Sequence, residues 1–219
     1  MPVMALILFD FDGVLADTLR DMIEFAQEVC DELGVDHAVT PDDLNSLEVM
    51  SFAEYGRRLG VPEHLVDEFV GLILKRFIEK KTPPDIFDGL DQVVRMLSTN
   101  HIIAIITGNR SQTVNNFLTA HGLDGNVCAI FGVDSPGSKP EKIASARSQF
   151  AKNGENVYMV GDSSSDIRAA KEASIKSIAV SWGHQSAERL ICAEPDYLVH
   201  SPMELLESIT KFEDQSLRR

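Results

Sequence analysis

The sequence predicts an α/β protein: a Rossmann-like, doubly wound parallel sheet with an all-helical domain inserted after its first strand. Three observations predict it. Apolar runs of strand length recur along the chain, and several end in polar or glycine-containing turns. From residue 89 onward these runs alternate with helical patterns, the rhythm of βαβ units in a parallel sheet covered on both faces. Between about Asp17 and Pro84 that rhythm is interrupted by helical patterns alone. The expected division is a core of residues 1–16 and 85–219 and a helical cap of residues 17–84.

Taken in order, Leu6-Ile7-Leu8-Phe9 reads as a buried strand that runs into Asp10-Phe11-Asp12-Gly13. Thr18 to Leu33 has helical periodicity and stops at Gly34. Helices are expected around Phe52–Leu59 and Glu63–Lys80. The second carries Leu65, Phe69, Ile73 and Phe77 on one face, most simply for packing. Lys80-Lys81-Thr82-Pro83-Pro84 reads as a linker. A helix through Gln92–Leu97 leads to a strand over His101–Ile106, which ends at Thr107-Gly108-Asn109. Ser111–His121 is a helix closed by Gly122, Val127–Phe131 a short strand, and Lys139–Ala151 a helix with Pro140 in its first turn. Val157–Val160 is a strand ending at Gly161-Asp162, followed by a helix over Ile167–Ala173 and a strand over Ile175–Val180. Tyr197–Val199 is a late edge strand and Met203–Phe212 a final helix, with a polar tail expected to fray.

Composition narrows the function. The 219 residues carry a formal net charge of −14, with no basic footprint for nucleic acid or an anionic membrane surface, so neither is an expected partner. An anionic substrate remains compatible, provided its site is locally positive or holds a metal ion. The three cysteines, Cys30, Cys128 and Cys192, form no CxxC pair, which suits reduced thiols and a cytoplasmic location. The apolar run near the start is too short for a signal peptide, and no stretch reaches transmembrane length.

The chemistry is concentrated at strand ends. Residues i and i+2 point the same way along a strand, so Asp10 and Asp12 can share one small volume. Two carboxylates that close repel, so one takes a proton or a cation joins them. A strand ending in a polar turn would explain the same residues without chemistry. However, Thr107 and Asp162 also stand at strand ends, and parallel sheets bind ligands at the carboxyl ends of their strands.

Four segments occur in order: Asp10-Phe11-Asp12-Gly13-Val14, Thr107-Gly108-Asn109, Ser138-Lys139-Pro140 and Gly161-Asp162-Ser163-Ser164-Ser165-Asp166. Each alone is an ordinary turn or helix start. Together they resemble the haloacid dehalogenase superfamily of hydrolases, in its phosphoglycolate-phosphatase-like branch with a helical cap. The resemblance implies a Mg²⁺-dependent phosphatase that acts on a small phosphorylated metabolite, phosphoglycolate-like or a sugar phosphate, through an aspartyl-phosphate intermediate. By that resemblance Asp10 is the nucleophile and Asp12 the general acid and base. Asp10, the Asp12 backbone carbonyl and Asp162 hold Mg²⁺, with Asp166 acting behind them or through water. Thr107, Gly108, Asn109 and Lys139 bind the phosphoryl group, Thr107 and Lys139 also counting as catalytic.

The resemblance places a substrate-specificity loop at about Asn45–Ala53, here without glycine and with Glu48. Arg57 and Arg58 are candidates to meet a second anionic group, Trp182 is expected to pack, and His184 is a lesser site candidate. A phosphomutase of the same fold and a non-catalytic regulatory protein are the alternatives. A dehalogenase would have no evident use for Asp12, and a phosphonatase would need a Schiff-base lysine in the cap loop. The assembly is expected to be a monomer or a homodimer.

Overall fold

The computed structural model describes residues 5–152 and 155–216. Six parallel strands form the main sheet in the order β5-β4-β1-β6-β7-β8. They are β1 (Leu6–Phe9), β4 (Ile102–Ile106), β5 (Ala129–Phe131), β6 (Val157–Gly161), β7 (Lys176–Val180) and β8 (Tyr197–Val199). The chain starts at β1, winds outward through β4 and β5, then crosses to the other side of β1 and winds outward through β6, β7 and β8. The switch point therefore lies at β1. Phe9 is in register with Ile105 of β4 and Val160 of β6, so the three strands end level with one another.

The continuous apolar character of β1 follows from burial on both faces. Its alternate side chains go to different layers. Ile7 and Phe9 join Ile103, Ile105, Tyr158 and Val160 in a cluster covered by α5 (Leu90–Ser98), α6 (Ser111–Ala120) and α10 (Pro202–Ser216). Leu6 and Leu8 join Ala104, Ile106, Val157 and Met159 beneath α7 (Lys139–Phe150) and α8 (Ser164–Glu172).

Residues 19–79 fold back on themselves. α1 (Leu19–Leu33) ends at Gly34, whose φ of +71° supplies the left-handed conformation that closes the helix. α2 (Pro41–Asn45), α3 (Phe52–Arg58) and α4 (Val66–Glu79) complete a helical layer with its own apolar cluster, including Met22, Cys30, Tyr55, Phe69 and Ile73. Leu65, Phe69, Ile73 and Phe77 do pack there, although residues 63–65 form a 3₁₀ turn ahead of α4.

The helical layer joins the sheet layers through a two-stranded antiparallel ribbon, β2 (Ala16–Asp17) with β3 (Asp85–Ile86), and an ion pair of Lys80 with Asp21 ties the two ends of the helical layer to each other. The sequence pattern does not reveal this ribbon, because two-residue strands have no periodicity to detect. Nor does it reveal α2, α9 (Ala187–Cys192) or a 3₁₀ turn at Asp124–Asn126, each too short for a helical repeat. The helix expected at Ile167 starts earlier, at Ser164, because Ser163 caps it. The end of the polar tail expected to fray lies outside the described residues. Among the described residues no helix is long and apolar enough to cross a membrane.

Candidate active site

Asp10, Thr107 and Asp162 follow β1, β4 and β6, three adjacent strands, and His184 lies shortly after β7. The backbone fixes Asp10: its N–H donates to the Val160 carbonyl at 2.9 Å, and its Oδ1 accepts from the Phe11 N–H at 2.8 Å. Lys139, at the start of α7, places Nζ 3.1 Å from Asp10 Oδ2 and 2.5 Å from Asp166 Oδ1.

Asp166 is held from the other side by a capping box. The Ser163 N–H and hydroxyl donate to its Oδ2 at 3.2 and 2.6 Å, while its own N–H donates to Ser163 Oγ. One oxygen thus anchors a helix start and the other engages the lysine.

Asp162 is wholly buried. Its Oδ2 accepts from the His184 N–H at 2.7 Å and lies 3.1 Å from His184 Nδ1, while its Oδ1 has no hydrogen-bond partner. This close packing requires glycine: a Cβ on Gly13, where φ is +75°, would stand 2.0 Å from Asp162 Oδ2. A Cβ on Gly161 would stand 2.3 Å from that of Asp166.

Asp12 Oδ2 lies 3.5 Å from Asn109 Nδ2, and its buried Oδ1 has no partner. Thr107 Oγ1 accepts from the Asn109 N–H at 2.9 Å. Gly108 lines the cavity above the site. Asn109 is fully buried and does not line it; its Oδ1 accepts from the Arg110 N–H and its carbonyl from the Val133 N–H.

Burial dominates the electrostatics. It pushes Asp10 up to about 8, with Asp166, Asp162 and Asp12 adding to the effect and Lys139 opposing it. Burial likewise pushes Asp12 up to about 6, against the pull of His184. For Lys139 burial acts the other way, but Asp10 and Asp166 outweigh it and hold the ammonium charged above its ordinary range. His184 is also raised: burial opposes its charge, and Asp162 and Asp12 more than compensate.

Ligand atoms of Asp10, Asp162 and Asp166 lie within 4.8 Å of one another. Three buried aspartates and the half-buried Asp12 around one lysine and one histidine, with an unpartnered carboxylate oxygen on Asp162, fit a hard divalent cation with oxygen ligands. The Asp12 side chain is not in that cluster.

A cavity of about 260 Å³ opens above Asp10, Asp12, Lys139 and His184 and is roofed by the helical layer. The three residues singled out in the cap do not face it. Glu48 pairs with Arg189 and Arg168 on the sheet side, Arg57 with Glu54 and Glu63, and Arg58 with Asp43. Each charge has a carboxylate or guanidinium nearby, and of these partners only Glu54, three residues before Arg57 in α3, is at a spacing that helical periodicity reveals. Trp182 packs against Phe87 and donates Nε1–H to the Val14 carbonyl, as expected of a packing residue. His184 is much more central than its sequence signal suggests. Its position after another core strand is the available clue. Thr18, just before α1, brings its hydroxyl within 3.4 Å of His184 Nε2.

The profile of the haloacid dehalogenase-like hydrolase family matches residues 7–180. The chain belongs to this family. Among its curated relatives is a phosphoglycolate phosphatase of Synechococcus elongatus, 27% identical over 213 residues that cover 95% of this chain and 98% of the relative. Another is the pyrophosphatase PpaX of Listeria innocua, 27% identical over 207 residues, covering 91% and 94%. Among solved structures, one from Clostridium acetobutylicum described as a predicted phosphatase superposes with a TM-score of 0.82 at 21% identity, covering 95% of this chain and 99% of that one. Both the Rossmann-like α/β fold and the family membership expected from the four segments are thereby established.

Proposed function

We propose that this hydrolase is a Mg²⁺-dependent phosphatase that acts on a small phosphorylated metabolite through an aspartyl phosphate on Asp10. The observation that carries the reading is the contact of Lys139 with both Asp10 and Asp166 at the floor of the cavity, beside the three-carboxylate cluster. A phosphoryl group needs a nucleophile in line, charge neutralisation and a protonated leaving group, and each requirement has a residue here. The phosphatase names of relatives that span nearly the whole chain point the same way.

In this reading Asp10 attacks phosphorus while Asp12 gives its proton to the departing ester oxygen, and the P–O bond to the alcohol breaks. Water then attacks the aspartyl phosphate and loses a proton to Asp12, so Asp10 and inorganic phosphate separate. An Asp12 raised to about 6 holds a proton in a useful fraction of molecules near neutral pH. Lys139 stabilises negative charge on Asp10 and the phosphoryl oxygens. The Gly108 N–H and the Thr107 hydroxyl serve those same oxygens, and Asn109 orients Asp12. Asp10, Asp162, Asp166 and the Asp12 backbone carbonyl would supply or support the Mg²⁺ ligands. When bound, that ion supplies the positive charge that keeps Asp10 ionised and neutralises the phosphoryl group. The helical layer acts as the cap, with residues 17–84 as its span.

Phosphate release from a generic ester should require Mg²⁺, stop in excess chelator and return when Mg²⁺ is restored. Full activity in chelator would overturn the metal assignment, and no release under any metal condition would overturn the phosphatase reading.

A further inference from the structure

The proposed phosphatase chemistry fixes the phosphoryl end of the substrate, and any preference for the other end rests on that chemistry. The walls of the cavity constrain this other end. At about 260 Å³ the space is below the roughly 300–1,000 Å³ of sites for drug-sized ligands, so the leaving group is small. Its upper wall is mostly apolar, from Met22, Leu44, Met50, Phe52, Val70 and Leu74 of the helical layer, and the polar Ser51 that also lines it uses its hydroxyl to cap α3 by accepting from the Glu54 N–H. Val133, 46% exposed, adds an apolar rim from the core side.

No basic residue of the helical layer lines this space. The four arginines between residues 17 and 84 each face a carboxylate elsewhere: Arg20 faces Glu24, Arg57 faces Glu54 and Glu63, Arg58 faces Asp43, and Arg76 faces Glu28 and Glu32. Lys80 pairs with Asp21. Tyr55 also lines the wall, and burial keeps its phenol neutral. The basic side chains that do line the cavity, Lys139 and His184, lie at its floor and already face Asp10, Asp166 and Asp162.

A carboxylate or second phosphate on the leaving group would lose water against this wall without meeting a counter-charge. An alkyl or aryl group would gain from the same transfer. We infer that the substrate is a phosphomonoester of a small, uncharged, largely apolar alcohol or phenol, and that Met50, Phe52 and Leu74 set this preference. Methionine at positions 22 and 50 lets the wall adapt to several apolar shapes. Phosphoglycolate and pyrophosphate, named for the two relatives, each carry a second anionic group that this wall does not answer.

The test is a set of kcat/KM values for the full-length protein with Mg²⁺. The substrates are the methyl to hexyl phosphates, phenyl phosphate, phosphoglycolate, pyrophosphate and glycerol phosphate. Each added methylene should raise kcat/KM about fourfold until the cavity is full. Butyl and phenyl phosphate should exceed phosphoglycolate by at least about tenfold. In a binding readout independent of turnover, butylphosphonate should bind more tightly than phosphonoacetate by calorimetry. Met50→Arg should narrow both gaps, because it puts a cation in the wall. No phosphate from any ester would refute the phosphatase reading itself. Turnover that is flat with chain length, or best with phosphoglycolate or pyrophosphate, would overturn the apolar-substrate inference and leave the phosphatase reading standing.

Discussion

Asp10 and Phe52 face the same cavity from opposite sides and are held there by different means. Asp10 is fixed by backbone hydrogen bonds at the end of a buried strand, where Lys139 reaches both it and Asp166 and ligand atoms of Asp10, Asp162 and Asp166 lie within 4.8 Å of one another. Phe52 opens a short helix that follows an irregular loop, and packs among other apolar side chains. The floor is thus over-determined by partners, while the roof is determined mainly by shape. Chemistry that needs sub-ångström placement belongs on the first kind of support, and selection among leaving groups can be left to the second.

The contrast breaks most severely at the proposed nucleophile. Asp10→Asn should reduce phosphate release to background for every ester, whatever its leaving group. Trapping with substrate and intact-protein mass spectrometry should find no phosphoenzyme. A covalent phosphate on that variant would mean that the nucleophile lies elsewhere.

Asp12→Asn keeps the proposed nucleophile but removes the proposed proton donor. Turnover should fall by about 10²–10⁴-fold. The loss should be smallest for p-nitrophenyl phosphate, whose leaving group needs little protonation, and largest for alkyl esters. An equal loss for both would assign Asp12 a purely structural role.

Lys139→Ala should lower kcat/KM by roughly 10²–10³-fold, the scale of removing one preorganised electrostatic contact. Lys139→Arg should recover only part of it, since a planar fork does not fit the space of a point charge. Near-normal kinetics in Lys139→Ala would remove this lysine from the site.

These floor residues are legible in the sequence because strand ends are legible. An apolar run bounded by Asp or Thr-Gly places a side chain at one edge of a parallel sheet without further knowledge, and β1, β4 and β6 then lie side by side. The roof is not legible. Glu48, Arg57 and Arg58 look like free charges along the chain, and only the packing shows that each meets an opposite charge rather than the cavity. The apolar residues that do face the cavity carry the same helical periodicity as core residues, so pattern alone cannot separate lining from packing. The sequence understates His184 for a related reason: its contacts with Asp162 and Thr18 span 22 and 166 positions.

A smaller effect concerns stability and isolates the floor without any substrate. Asp10 at about 8 and Asp12 at about 6 both lie above the ordinary carboxylate value, so without a cation the folded protein binds more protons than the unfolded chain. Their favourable contribution is complete below about pH 4 and is lost as pH rises through 6 and then 8. The melting temperature in chelator should therefore fall between pH 5.5 and 8.5, and Mg²⁺ should flatten that slope. A melting temperature in chelator that is level or rising over this range would contradict the buried-carboxylate account.

The smallest expected effect lies where roof meets floor. The loop between α2 and α3 is tied to the sheet side by several contacts. Glu48 Oε1 lies 2.7 Å from Arg189, the Gln185 amide donates to the Leu47 carbonyl at 2.8 Å, and the Met50 N–H donates to Ser165 Oγ at 3.2 Å. These ties differ in exposure. Glu48 is mostly exposed, and an exposed ion pair is weak and screened by salt. Gln185 is buried, and its other amide atom accepts from the Ser164 N–H, so it links the roof to the start of α8. Glu48→Ala should therefore raise KM by no more than about fivefold, leave kcat unchanged, and reduce the salt dependence of KM between low and high ionic strength. Gln185→Ala should raise KM further and by the same factor at low and high salt, because it leaves buried polar groups unpaired. If Glu48→Ala instead lowered kcat in equal proportion for all esters, the loop would be part of the catalytic floor and the division between the two supports would fail.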